Sequence, residues 1–284
     1  QLTYGTAMNH QRTYRCVLIP DFAKLKYRQH SRIFVETTVP DLVQTVLDEV
    51  GIDCTFSLKN TYSPYLKLIQ YRETDLAFVC RLLEHEGIAF HFSHQDGSHE
   101  VVFTDDSSLY ETVAKGATVE FRPDSGALTR NECISRFQRT QMIHSAQISL
   151  DSYDFQKPDL ELKSETSGDG DVALEIADWT GDFSDPSVGA ARAQLRLEQA
   201  QTMKDTGEGM GSASQLVAGH LFTLENHPAK DLNTEYLITS LHHEGYDSAF
   251  GGSEIDSSDG APADPTRFEC QFRCIPNTAI YRPA

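Results

Sequence analysis

The chain has 284 residues, 39% of them hydrophobic, enough for a substantial core in two domains or one large interwoven one. Its 42 acidic and 24 basic residues leave a formal charge of -18, and an acidic surface repels phosphate backbones, which argues against nucleic acid as a partner. No run approaches the ~20 apolar residues a membrane span needs, so stable membrane insertion is not expected, and no signal peptide opens the chain.

Tyr14 to Pro20 reads as a strand closed by proline. Leu25 to His30 and Ser31 to Val35 read as helical or extended segments leading to a cap. Thr38 and Asp41 have capping-box spacing, with Pro40 in the first turn where its missing N–H does no harm. Val39, Leu42, Val43, Val46, Leu47 and Val50 then mark one face of a helix, and Gly51 is its stop. Cys54 to Leu58 is a short strand, Asn60 to Pro64 a turn, and Tyr65 to Tyr71 an alternating strand. A second helix is expected from Thr74 to His85, ended by Gly87. Ile88, Phe90 and Phe92 alternate, Asp96-Gly97 signals a hairpin, and Glu100 to Thr104 is the return strand.

From Ala117 the pattern is mostly β. Val119 to Phe121, Ile134 to Gln138, Ala146 to Tyr153 and Val172 to Ile176 are candidate strands, and polar Leu160 to Gly170 reads as a loop or mobile hairpin. A third helix is expected from Pro186 to Met203, capped by Ser184, with Ala191, Leu195, Leu197 and Ala200 inward. Gly207 to Ser214 reads as a small-residue loop, Leu216 to Leu224 and Glu235 to His243 as strands, and Asp247 to Thr266 as a surface loop. Phe268 to Ile275 is the last strand before Pro276.

The chemistry-bearing residues form no catalytic constellation. Six scattered cysteines, in a chain neither small nor Cys-dense, read as reduced thiols of a cytoplasmic protein. Cys270 and Cys274 would stand roughly 13 Å apart on a strand, too far for one metal or one disulfide. A hydrolase reading would draw a metal from His85, His91, His94 and a carboxylate. However, His85 and His91 are six apart with Gly87 between them, not at the helical i, i+4 spacing of a zinc protease. His99 and the adjacent pair His242-His243 are similarly weak metal signals. Gly209-Met210-Gly211-Ser212 is not a nucleophile elbow, Asp105-Asp106 is turn chemistry, and Asp256 to Gly260 lacks the calcium-loop spacing. Trp179 beside Gly181 reads as packing rather than sugar binding.

The most specific stretch is Gln70 to Ile88: a strand end, a capped amphipathic helix, a glycine stop and a new strand. It resembles the signature of the VgrG family, the spike proteins of bacterial type VI secretion, at Gln70, Tyr71, Arg72, Asp75, Phe78, Arg81, Leu82, Gly87 and Ile88. Further segments resemble the family in its own order: Arg32-Ile33-Phe34 leading to Gly51-Ile52, Tyr153-Asp154-Phe155 with Pro158, and Ala190 to Glu198. The second most specific is Gly219 to Pro228, including Phe222, His227 and Pro228, continued by Asp231 to Ser240 with Tyr236. The last is Phe272 to Pro276 with Tyr281-Arg282-Pro283.

The resemblance implies an α+β, mainly β fold of phage baseplate hub-like β-barrel domains with inserted helices. It divides the chain into barrel strands at 1–30, an α/β subdomain with two helices at 31–115, and a barrel-like domain with one helix at 116–284. It implies a homotrimeric structural hub that sits on a tube of Hcp hexamers, contacts baseplate and effector proteins, needs no cofactor, metal or catalytic residue, and is assembled in the bacterial cytoplasm before secretion. A contractile-phage tail hub of the same fold is the alternative. The family pattern opens before Gln1 and continues past Ala284 into a small needle domain, so an opening segment and a needle are expected to be missing. His227-Pro228 is expected to turn a strand-to-turn corner, and Gly219 to need an unusual backbone angle or close packing.

Overall fold

A computed structural model describes residues 2–6, 12–114, 116–123, 132–247 and 266–283. The expected loop at 247–266, with its Asp256 to Gly260 stretch, lies almost wholly outside them. The chain forms two compact units, residues 1–86 with 90–103, and residues 87–89 with 104–284.

The first unit begins with a hairpin, β1 (Leu2–Thr6) and β2 (Arg12–Cys16). The expected strand to Pro20 stops at Cys16, which pairs with Leu2. A 3-10 helix follows at Asp21–Tyr27. Then β3 (Gln29–Thr37) pairs antiparallel with β5 (Tyr65–Thr74) as a two-stranded ribbon. Between them, α1 (Val39–Asp48) buries Val39, Leu42, Val43, Val46 and Leu47. Its cap is as the spacing predicts: Thr38 Oγ1 accepts the Asp41 N–H at 3.2 Å and donates to Asp41 Oδ2 at 2.6 Å. Gly51 follows with φ +66°. The strand β4 (Cys54–Ser57) pairs with β7 (Ser98–Thr104), which pairs with β6 (Ala89–Gln95). The β6–β7 turn is Asp96-Gly97, with Gly97 at φ +80°. The helix α2 (Asp75–Glu86) starts where Thr74 Oγ1 accepts the Ala77 N–H at 3.2 Å.

The second unit is built on a six-stranded sheet in the order β8-β14-β15-β16-β13-β9. These strands are β8 (Thr118–Glu120), β9 (Ile134–Gln141), β13 (Asp205–Gly211), β14 (Leu221–Glu225), β15 (Glu235–Asp247) and β16 (Thr266–Pro276). The sheet curls into a half-barrel, and its two outer strands meet at one bridge, Phe121 to Ile134, where the Arg122 N–H donates to Ile134 O at 2.8 Å. Inside lie Val119, Ile134, Phe222, Leu224, Tyr236, Ile238, Cys270, Phe272 and Cys274. A smaller sheet, β11-β10-β12, carries β10 (Gln147–Asp151) at its centre, β11 (Lys163–Ser167) antiparallel and β12 (Glu175–Trp179) parallel to it. The helix α3 (Pro186–Gln201) covers it, with Ile148, Leu150, Leu162, Phe183, Ala193 and Leu197 as core.

Several expectations fail here for identifiable reasons. The expected small-residue loop at Gly207 to Ser214 is largely strand β13, inside the sheet between β16 and β9. Its glycines leave room for neighbouring rings: a Cβ on Gly209 would stand 2.2 Å from Phe272 Cζ, and one on Gly207 2.7 Å from Phe137 Cζ. The expected loop at Leu160 to Gly170 contains β11, whose Ser164 sits under α3 where Gly189 approaches so closely that an added Cβ would meet Ser164 Oγ at 2.4 Å. Such an approach needs small side chains, so the strand carries no hydrophobic alternation to read. The strand expected at Val172 to Ile176 is β12, three residues later. Asp185, not Ser184, caps α3, its Oδ1 accepting the Ser187 N–H at 2.7 Å. Ala191 is exposed, and the buried stripe of α3 is Gly189, Ala193 and Leu197. The strand expected from Leu216 begins only at Leu221.

Candidate functional site

The motif residues gather into one knot in the first unit and two clusters in the second. In the first unit, β3 turns His30, Arg32 and Phe34 inward, since alternate residues share a face. Asp75, at the start of α2, is fully buried. Its Oδ1 accepts from Gln70 Nε2 at 2.8 Å, lies 2.9 Å from His30 Nδ1 and 3.3 Å from Arg32 Nη2, while Oδ2 lies 3.3 Å from Arg28 Nε. Arg32 also donates to Gln70 Oε1 at 2.8 Å, and both arginines reach Glu49 beyond the end of α1, at 2.7 and 2.8 Å. Burial pushes the Asp75 carboxyl upward, but the hydrogen bonds from Gln70 and His30 and the charge of Arg32 outweigh it and hold the group below its ordinary value. Glu49 is held low in the same way, burial being outweighed by Arg32 and Arg28.

Packing continues from this knot. Phe78 is buried against the Phe34 ring, 5.8 Å between centroids, and the Arg81 guanidinium lies 5.0 Å over it. Arg81 also holds Glu73 and donates to Ile69 O at 2.7 Å, and Leu82 is buried. Tyr71 and Arg72 belong to the same motif but face solvent. Arg72 adopts φ +51° where the ribbon register shifts, and its N–H donates to Ser31 Oγ at 3.2 Å.

In the second unit the motif residues make corners. Gly219 has φ +79°, and its N–H donates to Ile238 O at 2.8 Å while the Ile238 N–H returns to His220 O at 3.0 Å. Phe222 stacks on Tyr236 at 5.8 Å, and the buried Tyr236 hydroxyl donates to Leu232 O at 3.0 Å; burial pushes that phenol up to about 12. After β14, Asn226 turns the chain at φ +63°. The His227 N–H donates to Asn233 Oδ1 at 2.8 Å, Asn233 Nδ2 returns to His227 O at 2.9 Å, and the imidazole packs 4.3 Å from Phe121. Pro228 follows in this turn, and Pro276, the last residue of β16, pairs with Tyr236.

Gly87, with φ +68°, has its carbonyl held by Arg282 Nη1 at 3.0 Å, and an added Cβ would overlap Leu195. Ile88 beside it is fully buried. Arg282 also donates to Asp105 O and pairs with Glu198 at 2.8 Å. Arg282→Ala removes a nearly buried cation and leaves Glu198 and two carbonyls without it, so a loss of about 3 kcal/mol is expected; a urea midpoint equal to that of the unaltered chain would contradict this.

The residues weighed for chemistry do not converge. Among the described residues, no group of three His, Cys, Asp or Glu side chains could hold a metal ion. His99 Nε2 accepts the Asp21 N–H at 2.9 Å, a role in the fold. Cys270 and Cys274 are free thiols inside the half-barrel, both pushed up by burial. Trp179, expected to pack, is instead exposed. Arg28, His30 and Glu49 are not marked by the sequence motifs, and Arg282 enters only through the family-like segment Tyr281-Arg282-Pro283. Arg28 just before β3, and His30 and Arg32 within it, alternate on the side that also carries Phe34, which was the available signal of a buried carboxylate partner.

The fold that these buried polar corners hold together is that of the tail-hub class. The chain belongs to the phage tail baseplate hub (GPD) family, whose model matches residues 3–249. It is similar to the type VI secretion system spike protein VgrG4b of Pseudomonas aeruginosa, 31% identical over 295 residues, covering 99% of this chain and 36% of that protein. The actin cross-linking toxin VgrG1 of Vibrio cholerae is 29% identical over 287 residues, 98% of this chain and 25% of the toxin. The chain thus spans well under half the length of these relatives. Among solved structures, the fold is shared with the E. coli type VI component c3393, with TM-score 0.62 and 22% identity over 96% of this chain and 57% of that one. It is shared also with a tail protein from Neisseria meningitidis, with TM-score 0.63 and 10% identity over 99% and 79%.

Proposed function

We propose that the chain is the structural hub of a type VI secretion puncturing spike: three copies form a ring that matches a six-fold Hcp tube to a three-fold needle, with effector and baseplate proteins attached. The observation that carries this reading is the hub-family match over residues 3–249 together with 31% identity to a VgrG spike protein along 99% of the chain. The motif side chains support it. Gln70, Asp75, Phe78, Phe222 and Tyr236 are buried in packed, hydrogen-bonded knots, as a load-transmitting part requires. In this reading the protein needs no cofactor, is assembled in the bacterial cytoplasm and leaves with the spike when the sheath contracts.

Light scattering after size exclusion tests it. A trimer of the 31.7 kDa chain is expected across a concentration series, as is binding to Hcp hexamers but not to free Hcp subunits. A monomer that ignores Hcp hexamers would overturn the reading. The family model and the tail-protein fold also favour a second reading, a contractile-phage tail hub. In that case the trimer would persist and bind a phage tube protein instead of Hcp.

A further inference from the structure

One exposed sheet face has the wrong polarity for solvent, and a second carries an exposed tryptophan among charges. An antiparallel ribbon with one face in water ordinarily turns its apolar residues inward and its polar residues outward. In the β3–β5 ribbon the inward set includes the Arg32–Gln70 pair, and the outward set includes Ile33, Val35, Ile69 and Tyr71, exposed by 57%, 65%, 47% and 64%, beside Ser31 and Lys67. Ile33 stands directly opposite Ile69, and Val35 opposite Lys67. The Arg72 guanidinium lies 5.2 Å over the Tyr71 ring. This face is a contiguous apolar patch with a cationic border, Lys67 and Arg72, rather than scattered single residues.

The second face belongs to the β11-β10-β12 sheet. One side of β10 is covered by α3 through Ile148 and Leu150. The other side carries Glu175, Ala177 and Trp179 of β12 beside Ser149 and Asp151 of β10, and Lys163 and Glu165 of β11. All five residues of β12 are exposed, Trp179 by 66%, and among the described residues no strand pairs with its other edge. Trp179 is the only tryptophan in the chain. The charge here is opposite in sign: Glu165, Glu175 and Asp151 outweigh Lys163.

We propose that these faces meet between copies: the Ile33–Val35–Ile69–Tyr71 face of one chain packs against the Trp179-bearing face of a second copy of the same chain. The proposal rests on the hub reading above and names the surfaces that would build its ring. A cationic apolar face and an acidic aromatic face complement each other, and neither complements itself. Exposed tryptophan and tyrosine are among the side chains that carry most interface energy, and charges beside them set which partner fits. Because each copy offers one face of each kind, the contact is head-to-tail, the type that closes into a ring when the rotation permits.

Ile69→Asp and Trp179→Asp test it by sedimentation, with melting curves recorded on the same samples. Both positions are exposed, so melting is expected to match the unaltered chain, while each substitution weakens self-association at least about 30-fold. Each variant alone is expected to be monomeric. An equal mixture retains one intact pair of faces and is expected to form a 1:1 dimer but no trimer. If the unaltered chain is a trimer and both variants remain trimeric, the surfaces are wrong while the hub reading stands, and the faces belong to an effector or baseplate protein. A stable dimer from either variant alone would overturn the head-to-tail contact. A monomer from the unaltered chain at its highest soluble concentration would remove the hub ring and this contact with it.

Discussion

Replacing Asp75 with alanine is expected to destabilise the first unit by about 3 kcal/mol, the largest effect of any polar substitution in it. The carboxylate is the one anion that Gln70, His30, Arg32 and Arg28 all address. Without it, two guanidinium groups face each other with only Glu49 between them. Their side chains are 27% and 22% exposed, so water recovers part of the lost interaction and keeps the cost at the low end of the range for broken buried pairs. Asp75→Asn keeps an acceptor of the same shape for Gln70 and is expected to cost less, about 1.5–3 kcal/mol, as for loss of charge from a hydrogen bond. The pH dependence follows from the direction of the shift. A carboxyl held below its ordinary value stabilises the fold fully above that value, 3.8 for Asp75, and stops doing so as pH falls through its lower folded value. Stability of the unaltered chain should therefore drop steeply below about pH 4, where unfolded carboxylates take up protons, and less steeply in either variant. Parallel urea midpoints for all three proteins between pH 6 and pH 3 would contradict the assignment.

What could be read from residue order, and what could not, divides along physical lines. Helix α1 was legible because its apolar positions repeat with helical period and its cap and stop are local: Thr38, Asp41 and Gly51 all act within a few residues. The Gly87 stop and the Asp96-Gly97 turn are local in the same sense. Strand β13 was not legible, because the side-chain volume that fills its place in the core belongs to Phe137 and Phe272 on neighbouring strands, far away in sequence. Strand β11 was hidden by the small hydroxyl residues that a close helix requires, and β12 was legible only to within three residues because its exposure on both faces blurs any alternation. The charge knot was half legible. Gln70 and Asp75 lie in one motif, but Arg28, His30 and Glu49 join them only once β3, α1 and β5 are folded together. A single tryptophan beside a glycine ordinarily packs; Trp179 is exposed instead, which makes it part of the proposed contact between copies.

The second large expected effect is at Gly211. An alanine there would place its Cβ 2.1 Å from Cys133 O and 2.8 Å from Ile134 Cα, inside van der Waals contact with main-chain atoms that cannot rotate away. The position coincides with the register shift between β13 and β9 at Met210/Gly211, so relief would require pulling β9 from the sheet near the bridge where its outer strands meet. Gly211→Ala is expected to cost at least about 3 kcal/mol, at or beyond the upper end of ordinary overpacking, and to leave the unit partly unfolded at moderate urea. Gly209→Ala differs because the atoms nearest its new Cβ all belong to the Phe272 ring, the first at 2.2 Å. That ring is itself packed against Phe222 and Phe137, so a cost of about 1–3 kcal/mol is expected. Phe272→Leu should recover part of the loss in the Gly209→Ala background and none in the Gly211→Ala background, because only the first clash is with a side chain. Gly51, whose added Cβ meets nothing within 4 Å, is the control, and Gly51→Asn should be mild because asparagine tolerates positive φ. A Gly211→Ala protein within about 0.5 kcal/mol of the unaltered chain, the ordinary range for harmless surface changes, would mean that β9 and β13 do not approach as closely as described. Rescue of Gly211→Ala by Phe272→Leu would mean that the steric conflict lies with the ring and not with the main chain of β9.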